Sequence, residues 1–397
     1  MNPVPWVTPM PLEGVVVRGA RVYTPDDRGV CDVLVLGGRV AAVGTDLDLP
    51  RLADVDEVDA RDLLLTPALV DGHCHPIGGG GSGGHWTRNP AFPPSAFIEA
   101  GIGTAVGCLG HDTTVRRPEV LLERVRYLRQ HGITAYMFTG EIGYPPATLT
   151  GSIRTDLALI LETVGTKAAI AEHGVAMETW QEVAALAGET YRGSRVGGKP
   201  AILHLHIGLS HQRLAIVVEA IERGAVDPKM ITLTHVNWNE DVLRESSALA
   251  AEGVNLDVTA CIRPDYFPGT VDPADAIRQF VSAGVSLSQL SVSSDAGGGH
   301  FENDGTLIPH RLNLLGEVLR NAATNTSVAL HDLLKLFTST PASRLGLMRK
   351  GVLEIGADAD LLLLGADLSE QHLWLGGRRV MTDGIPTTRD PFEEKST

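Results

Sequence analysis

His73 and His75, in the string HCHPIGGGG, are the residues of this sequence best placed to do chemistry. They follow an apolar run, LLLTPALVDG, that reads as a β-strand. Residues two apart on a strand point to the same side, so both imidazoles face one point. Neutral imidazole is a common ligand for zinc and related metals. The HxH spacing alone is a weak signal, but three further strands close on a residue able to bind metal. His206 ends AILHLHIG, with His204 two residues earlier; His235 ends ITLTHV; Asp295 ends LSVSSD. Accident is the poorer explanation for four such endings. Lys167 lies in an apolar string, VGTKAAIA, where an ammonium loses hydration and the neutral amine is favoured. A neutral amine can add carbon dioxide to form a carbamate, whose two oxygens can bridge two metal ions.

These residues need a frame that brings strand ends together. Between about residue 63 and residue 349, strand-like runs alternate with helix-like ones, the pattern of a parallel β/α fold. Strands are expected at 63–70, 104–108, 133–139, 167–171, 201–207, 230–235, 255–259 and 290–293. Helices are expected at 118–131, 156–164, 179–186, 213–223, 272–283 and 310–323, with Asp272 as an N-cap before Pro273. Eight strands with intervening helices fit a TIM-like (β/α)8 barrel, whose active site lies at the carboxyl ends of the strands. An open doubly wound sheet is the alternative, but no GxGxxG follows the first strand. GVVVRGARVY and VLVLGGRVAAV near the start, and ADLLLL and LWLGGRRVM near the end, read as short strands, two of the runs broken by a GG turn. Residues 1–62 and 350–397 are therefore expected to form a small β-sandwich lobe built from both termini, beside a barrel at 63–349.

Composition narrows the function classes. With 33 Lys+Arg against 48 Asp+Glu, the formal charge is −15. That disfavours nucleic acid and anionic membranes as partners, because phosphate binding needs a positive field. Cys31, Cys74, Cys108 and Cys261 are scattered without CxxC spacing, so no disulfide framework is expected. The start of the chain has no basic stretch followed by an apolar run, and no run has the length of a membrane span. A cytoplasmic enzyme acting on a small molecule is the expectation.

The order HxH, Lys, His, His, Asp on successive strands resembles the amidohydrolase superfamily. The strings HCHPIGGGG, TGEIGYPPATLTGSIRTDLALI, GTKAAIAEH, GGKPAILHLHIG, LTHVN and SSDAGG resemble its isoaspartyl dipeptidase (β-aspartyl peptidase) family, and GVLEIGADADLLLL resembles the superfamily's return to the small sheet. The resemblance covers essentially the whole chain. It implies that His73, His75 and Asp295 bind one metal, that His206 and His235 bind the other, and that carbamylated Lys167 bridges them. It also implies zinc as the metal and a homo-oligomeric assembly. Two divalent cations lower the pKa of a shared water from about 15.7 towards roughly 7, giving a hydroxide nucleophile at neutral pH. Asp295 can take its proton and pass it to the leaving group.

The substrate pocket departs from that family. Where the dipeptidases carry a Glu after the glycine run, this chain has Ser82. Their carbonyl-polarising Tyr aligns with Ile142, leaving Tyr144, two residues on, as the replacement. Their two substrate-binding Arg align with Gly174 and Trp238, and a Ser after the catalytic Asp aligns with Gly299. Each hydrogen bond to a charged group is worth roughly 1.5–3 kcal/mol, so a zwitterionic dipeptide should bind badly. Glu141, His173, Arg263 and His300 are the candidates for new polar contacts, with Arg263 the candidate for an anionic group. The expected activity is hydrolysis of an amide, lactam or related C–N bond, with specificity changed from isoaspartyl dipeptides. Alternatives are a dipeptidase with a rebuilt pocket, a lactonase, and a non-catalytic scaffold.

Overall fold

A computed structural model describes residues 14–48, 55–172, 176–302, 304–390 and 393. Two sheets organise it. The strands expected near the two ends of the chain join one nine-stranded sheet, in which Leu361–Leu364 pairs with Leu64–Pro67, and Leu64–Pro67 with Gly14–Tyr23. Both GG turns form as read. Gly37, Gly38, Gly376 and Gly377 all have positive φ, the conformation that two-residue hairpins require. The lobe closes over its own apolar cluster, which includes Val15, Val33, Leu65, Leu361 and the fully buried Trp374.

The second sheet is an eight-stranded parallel barrel whose strands run in chain order. They are Leu69–Cys74, Ile102–Gly107, Thr134–Gly140, Thr163–Ile170, Leu203–Ile207, Ile231–Thr234, Asn255–Thr259 and Leu290–Ser293. The fourth is buried along its whole length, as a strand covered on both faces must be. Backbone bonds close the circle at the carboxyl end of the strands: Asp295 N–H donates to the His73 carbonyl (2.9 Å) and His75 N–H to the Ala296 carbonyl (2.8 Å). Asp71, fully buried in the first strand, also accepts from the Ser294 N–H at 3.0 Å and from its hydroxyl. Burial pushes the Asp71 carboxyl up to about 7, against the pull of those bonds.

Four expectations need correction. The run 63–70 is two strands, not one. Leu64–Pro67 belongs to the lobe's sheet, and the barrel begins at Leu69. Pro67 lacks an N–H for further pairing, and the chain passes between the sheets at Ala68, whose N–H bonds to the Asp360 carbonyl. The helix expected at 156–164 is Ile153–Leu159, started by the Ser152 cap, and Thr163 already opens the fourth strand. Lys167 therefore sits inside that strand, not at its start. The helix expected at 179–186 runs on as Trp180–Gly197, with a capping box between Thr179 and Glu182. The helix expected from residue 310 begins at Leu314, which frees His310 to end the hairpin formed by Gly299–Phe301 and Leu307–Pro309. Asp272 caps its helix before Pro273 as expected. All four cysteines are free and buried, and among the described residues no helix is long and apolar enough to cross a membrane.

Candidate metal centre

Side chains in or just after the first, fourth, fifth, sixth and eighth barrel strands gather around His73. Ligand atoms of His73, His75 and Asp295 all lie within 4.8 Å of one another. His75 Nε2 is 3.0 Å and His73 Nε2 3.3 Å from Asp295 Oδ1. Lys167 Nζ, 1 % exposed, lies 3.0 Å from His73 Nε2 and donates to the Leu109 carbonyl at 3.1 Å. The rings of His206 and His235 are 4.4 Å apart, and His235 is 5.4 Å from His73. His235 and Asp295 both have left-handed backbone (φ 71° and 51°), uncommon for residues with a Cβ and typical of sites where geometry is imposed.

The donor chemistry fits a divalent metal. His75 Nδ1 lies 3.0 Å from the Cys108 carbonyl, which only accepts, so Nδ1 carries the proton. In the neutral ring, Nε2 then offers a lone pair toward an Asp295 oxygen. Two acceptors 3.0 Å apart repel each other unless a cation or proton lies between them. His235 Nδ1 is likewise held, 2.8 Å from Thr259 Oγ1, and His73 Nδ1 is 3.0 Å from His204 Nε2. Burial pushes His73, His204 and His235 well below the ordinary imidazole value, keeping the rings neutral. Burial works against the Asp295 carboxylate, and it is held well below the carboxylate range only by positive charge beside it; with these imidazoles neutral, that charge falls to a cation bound between them. Imidazoles with the second nitrogen satisfied by the chain, beside an ionised carboxylate, are the donors that zinc and its neighbours prefer.

His206 differs from the others. It is partly exposed, and its Nε2 faces Glu172 Oε2 at 3.5 Å. Glu172 was not singled out in the sequence; nor was Cys261, whose thiol, kept protonated chiefly by burial, reaches Asp295 Oδ2 at 3.6 Å. His204 was noticed only as the neighbour two residues before His206. It proves to be an inward residue stacked on Phe138 at 4.8 Å.

The candidate substrate residues scatter more. Ser82 is exposed on the glycine loop; Glu141 and Ile142 are half-buried after the third strand; Tyr144 is 37 % exposed on the same loop. His173 lies outside the described residues. Arg263 is engaged within the chain: Nε donates to the Ala260 carbonyl (3.1 Å), Nη1 lies 3.5 Å from Glu317, and the guanidinium covers Tyr266. Trp238 spends its indole N–H on the Ile207 carbonyl (2.7 Å) and presents its ring to Phe267 (5.4 Å) and His235 (6.3 Å). Phe267 in turn meets His300 at 5.6 Å, and Tyr266 stacks on His300 at 4.3 Å. Beside them His310, expected at the start of a helix, joins the stack at 5.3 Å from His300. An aromatic and imidazole wall thus runs outward from His235.

No family model matches the chain. Among solved structures, the β-aspartyl dipeptidase of Fervidobacterium islandicum AW-1, in complex with β-Asp-Leu, superposes with a TM-score of 0.87 and 28 % identity over 96 % of this chain and all of that one. Allantoinase of Enterococcus faecalis is 23 % identical over 88 % of this chain and 86 % of its own length. Dihydroorotase of Mycobacterium leprae is 44 % identical over a shorter stretch, 25 % of this chain and 20 % of that protein.

Proposed function

We propose, from the premise that this chain belongs to the amidohydrolase superfamily, that it cleaves an amide, lactam or related C–N bond of a small, weakly charged molecule at a two-metal centre. The observation that supports this most is the shared posture of His73, His75 and His235. Each has Nδ1 occupied by the chain; His73 reaches both Lys167 and Asp295, His75 reaches Asp295, and His235 lies beside His73. Bound divalent cations, zinc by the nature of the donors, would polarise the scissile carbonyl and acidify a water. His73, His75 and Asp295 would hold one ion, His206 and His235 the other, with Lys167 between them as its carbamate. Asp295 sits where it can accept the water's proton and return it to the leaving nitrogen.

The wall of Trp238, Phe267, Tyr266 and His300 favours a flat or apolar substrate face, since such walls reward stacking and leave isolated charges unpaired. Arg263 is not free for a carboxylate while it holds Glu317 and the Ala260 carbonyl. The likeness to a structure with β-Asp-Leu bound favours a second reading, in which the chain keeps dipeptidase activity through a rebuilt pocket. Turnover of β-Asp-Leu beside a panel of N-acyl, lactam and cyclic-imide compounds separates the two. We expect one of the panel to be hydrolysed and β-Asp-Leu turnover to be negligible; efficient dipeptide turnover would sink the altered specificity. Metal analysis after purification with zinc and bicarbonate tests the centre itself. A protein that retains no metal would be a scaffold instead.

A further inference from the structure

His73 is the most enclosed of the candidate histidine ligands, and two side chains hold it from opposite sides. Its Nε2 faces Lys167 Nζ at 3.0 Å and Asp295 Oδ1 at 3.3 Å; its Nδ1 faces His204 Nε2 at 3.0 Å. Lys167 and His204 sit on neighbouring barrel strands in direct register. One pair of inward side chains therefore brackets the His73 ring.

We propose that His204 is a positioning residue that fixes the tautomer of His73, accepting the Nδ1 proton so that the Nε2 lone pair is presented to a metal ion. The proposal rests on the reading of the site as a metal centre. A neutral imidazole carries one proton, on one nitrogen or the other. If His204 donated instead, His73 would carry its proton on Nε2, between Lys167 and Asp295, and no lone pair would face the metal. Acceptance by His204 Nε2 in turn places the His204 proton on its own Nδ1. Thr234 Oγ1 is the other polar atom near His73 Nδ1, but at 3.5 Å it is too far for a good bond, and its proton goes to Asp257 Oδ2 at 2.9 Å. The parallel stack on Phe138, with ring planes 16° apart, fixes the orientation of the His204 ring. His75 and His235 solve the same problem with a carbonyl and a hydroxyl; His73, deepest in the barrel, has an imidazole.

Substitutions of different reach separate this role from simple packing. His204→Gln keeps an amide near the position of Nε2; His204→Asn keeps an amide but stops short of His73; His204→Leu keeps volume and loses polarity. Each protein is stripped of metal, returned to bicarbonate buffer and titrated with zinc against a chromogenic chelator, with thermal unfolding of the metal-free forms as a packing control. Loss of an outer hydrogen bond to a metal-binding histidine costs about 10–100-fold in metal affinity. That loss is expected for the Asn and Leu variants, with the Gln variant retaining most of the affinity. Visible spectra of cobalt-loaded protein should change for Asn and stay near wild type for Gln. Wild-type affinity in the Asn variant, or equal losses in Gln and Asn, would overturn the role of His204 while leaving the metal centre standing. A wild-type protein that binds no metal would overturn both.

Discussion

Replacing His310 with Gln should flatten the loss of stability that the protein suffers in mild acid. His310 is 4 % exposed, and its Nε2 lies 3.1 Å from His300 Nδ1. Burial brings it down from 6.5 to about 4. Because its folded value lies below its unfolded one, the unfolded chain takes up a proton between those two values and the folded chain does not. The contribution to stability is therefore complete above about pH 6.5 and is lost as pH falls toward 4. The full difference corresponds to about 3 kcal/mol. Between about pH 7.5 and about pH 5 the loss amounts to about 2 kcal/mol. Glutamine does not titrate, and its amide can keep a hydrogen bond to His300. The assay is denaturant unfolding of metal-loaded wild type and His310→Gln at both pH values, comparing the change in each protein so that shared carboxylate effects cancel. The variant should lose about 2 kcal/mol less than wild type. Equal acid sensitivity in the two proteins would show that His310 is not held neutral by burial, and would undo the placement of its ring in the buried stack.

Three further changes probe the centre. Lys167→Ala removes the amine beside His73 Nε2 and should abolish hydrolysis, with partial rescue by short carboxylic acids that supply two oxygens; undiminished rates would remove its bridging role. Thr259→Val deletes the hydroxyl 2.8 Å from His235 Nδ1 with little change in volume, and should weaken metal binding by about 10–100-fold in a chelator competition. Gly297→Ala puts a Cβ at 2.7 Å from the His75 carbonyl oxygen, on backbone with φ 99° that side chains rarely adopt. It should lower both metal content and melting temperature, and a variant with normal metal content would show that the loop after Asp295 yields without moving His75.

The barrel was legible because each of its strands is a short apolar run bounded by turn residues, and because the chain order of the strands is also their order in space. The lobe was legible from its paired glycines, since GG between β-branched residues leaves few alternatives to a tight hairpin. What failed did so at junctions. Nothing in LLLTPALV marks the proline as the point where one sheet hands the chain to another; that depends on Asp360, almost three hundred residues away, accepting the Ala68 N–H. Thr163 and Val164 were placed in a helix expected to begin at Asp156, but that helix starts at Ile153 and ends before them, and Asp156 lies within it. Its carboxylate is buried, accepting from Thr139, Leu149 and Thr150.

The site divides along the same line. Residues that must lie at strand ends, such as His73, His75, His235 and Asp295, announce themselves by type and position, because a strand fixes where its last side chain points. Residues that act through loops do not. Arg263 looked free in ACIRPD, yet its partner Glu317 comes from a helix more than fifty residues later. His310 read as a helix start, and only the pairing of His300 with Ile308 across the hairpin turns it toward Tyr266 and His300. His204 shows the opposite failure. Its spacing from His206 was visible, but a strand position reports direction and not partner, so an inward histidine could equally have been a ligand. Only the 3.0 Å contact with His73 Nδ1 separates a residue that would bind metal from one that would decide which nitrogen of its neighbour does.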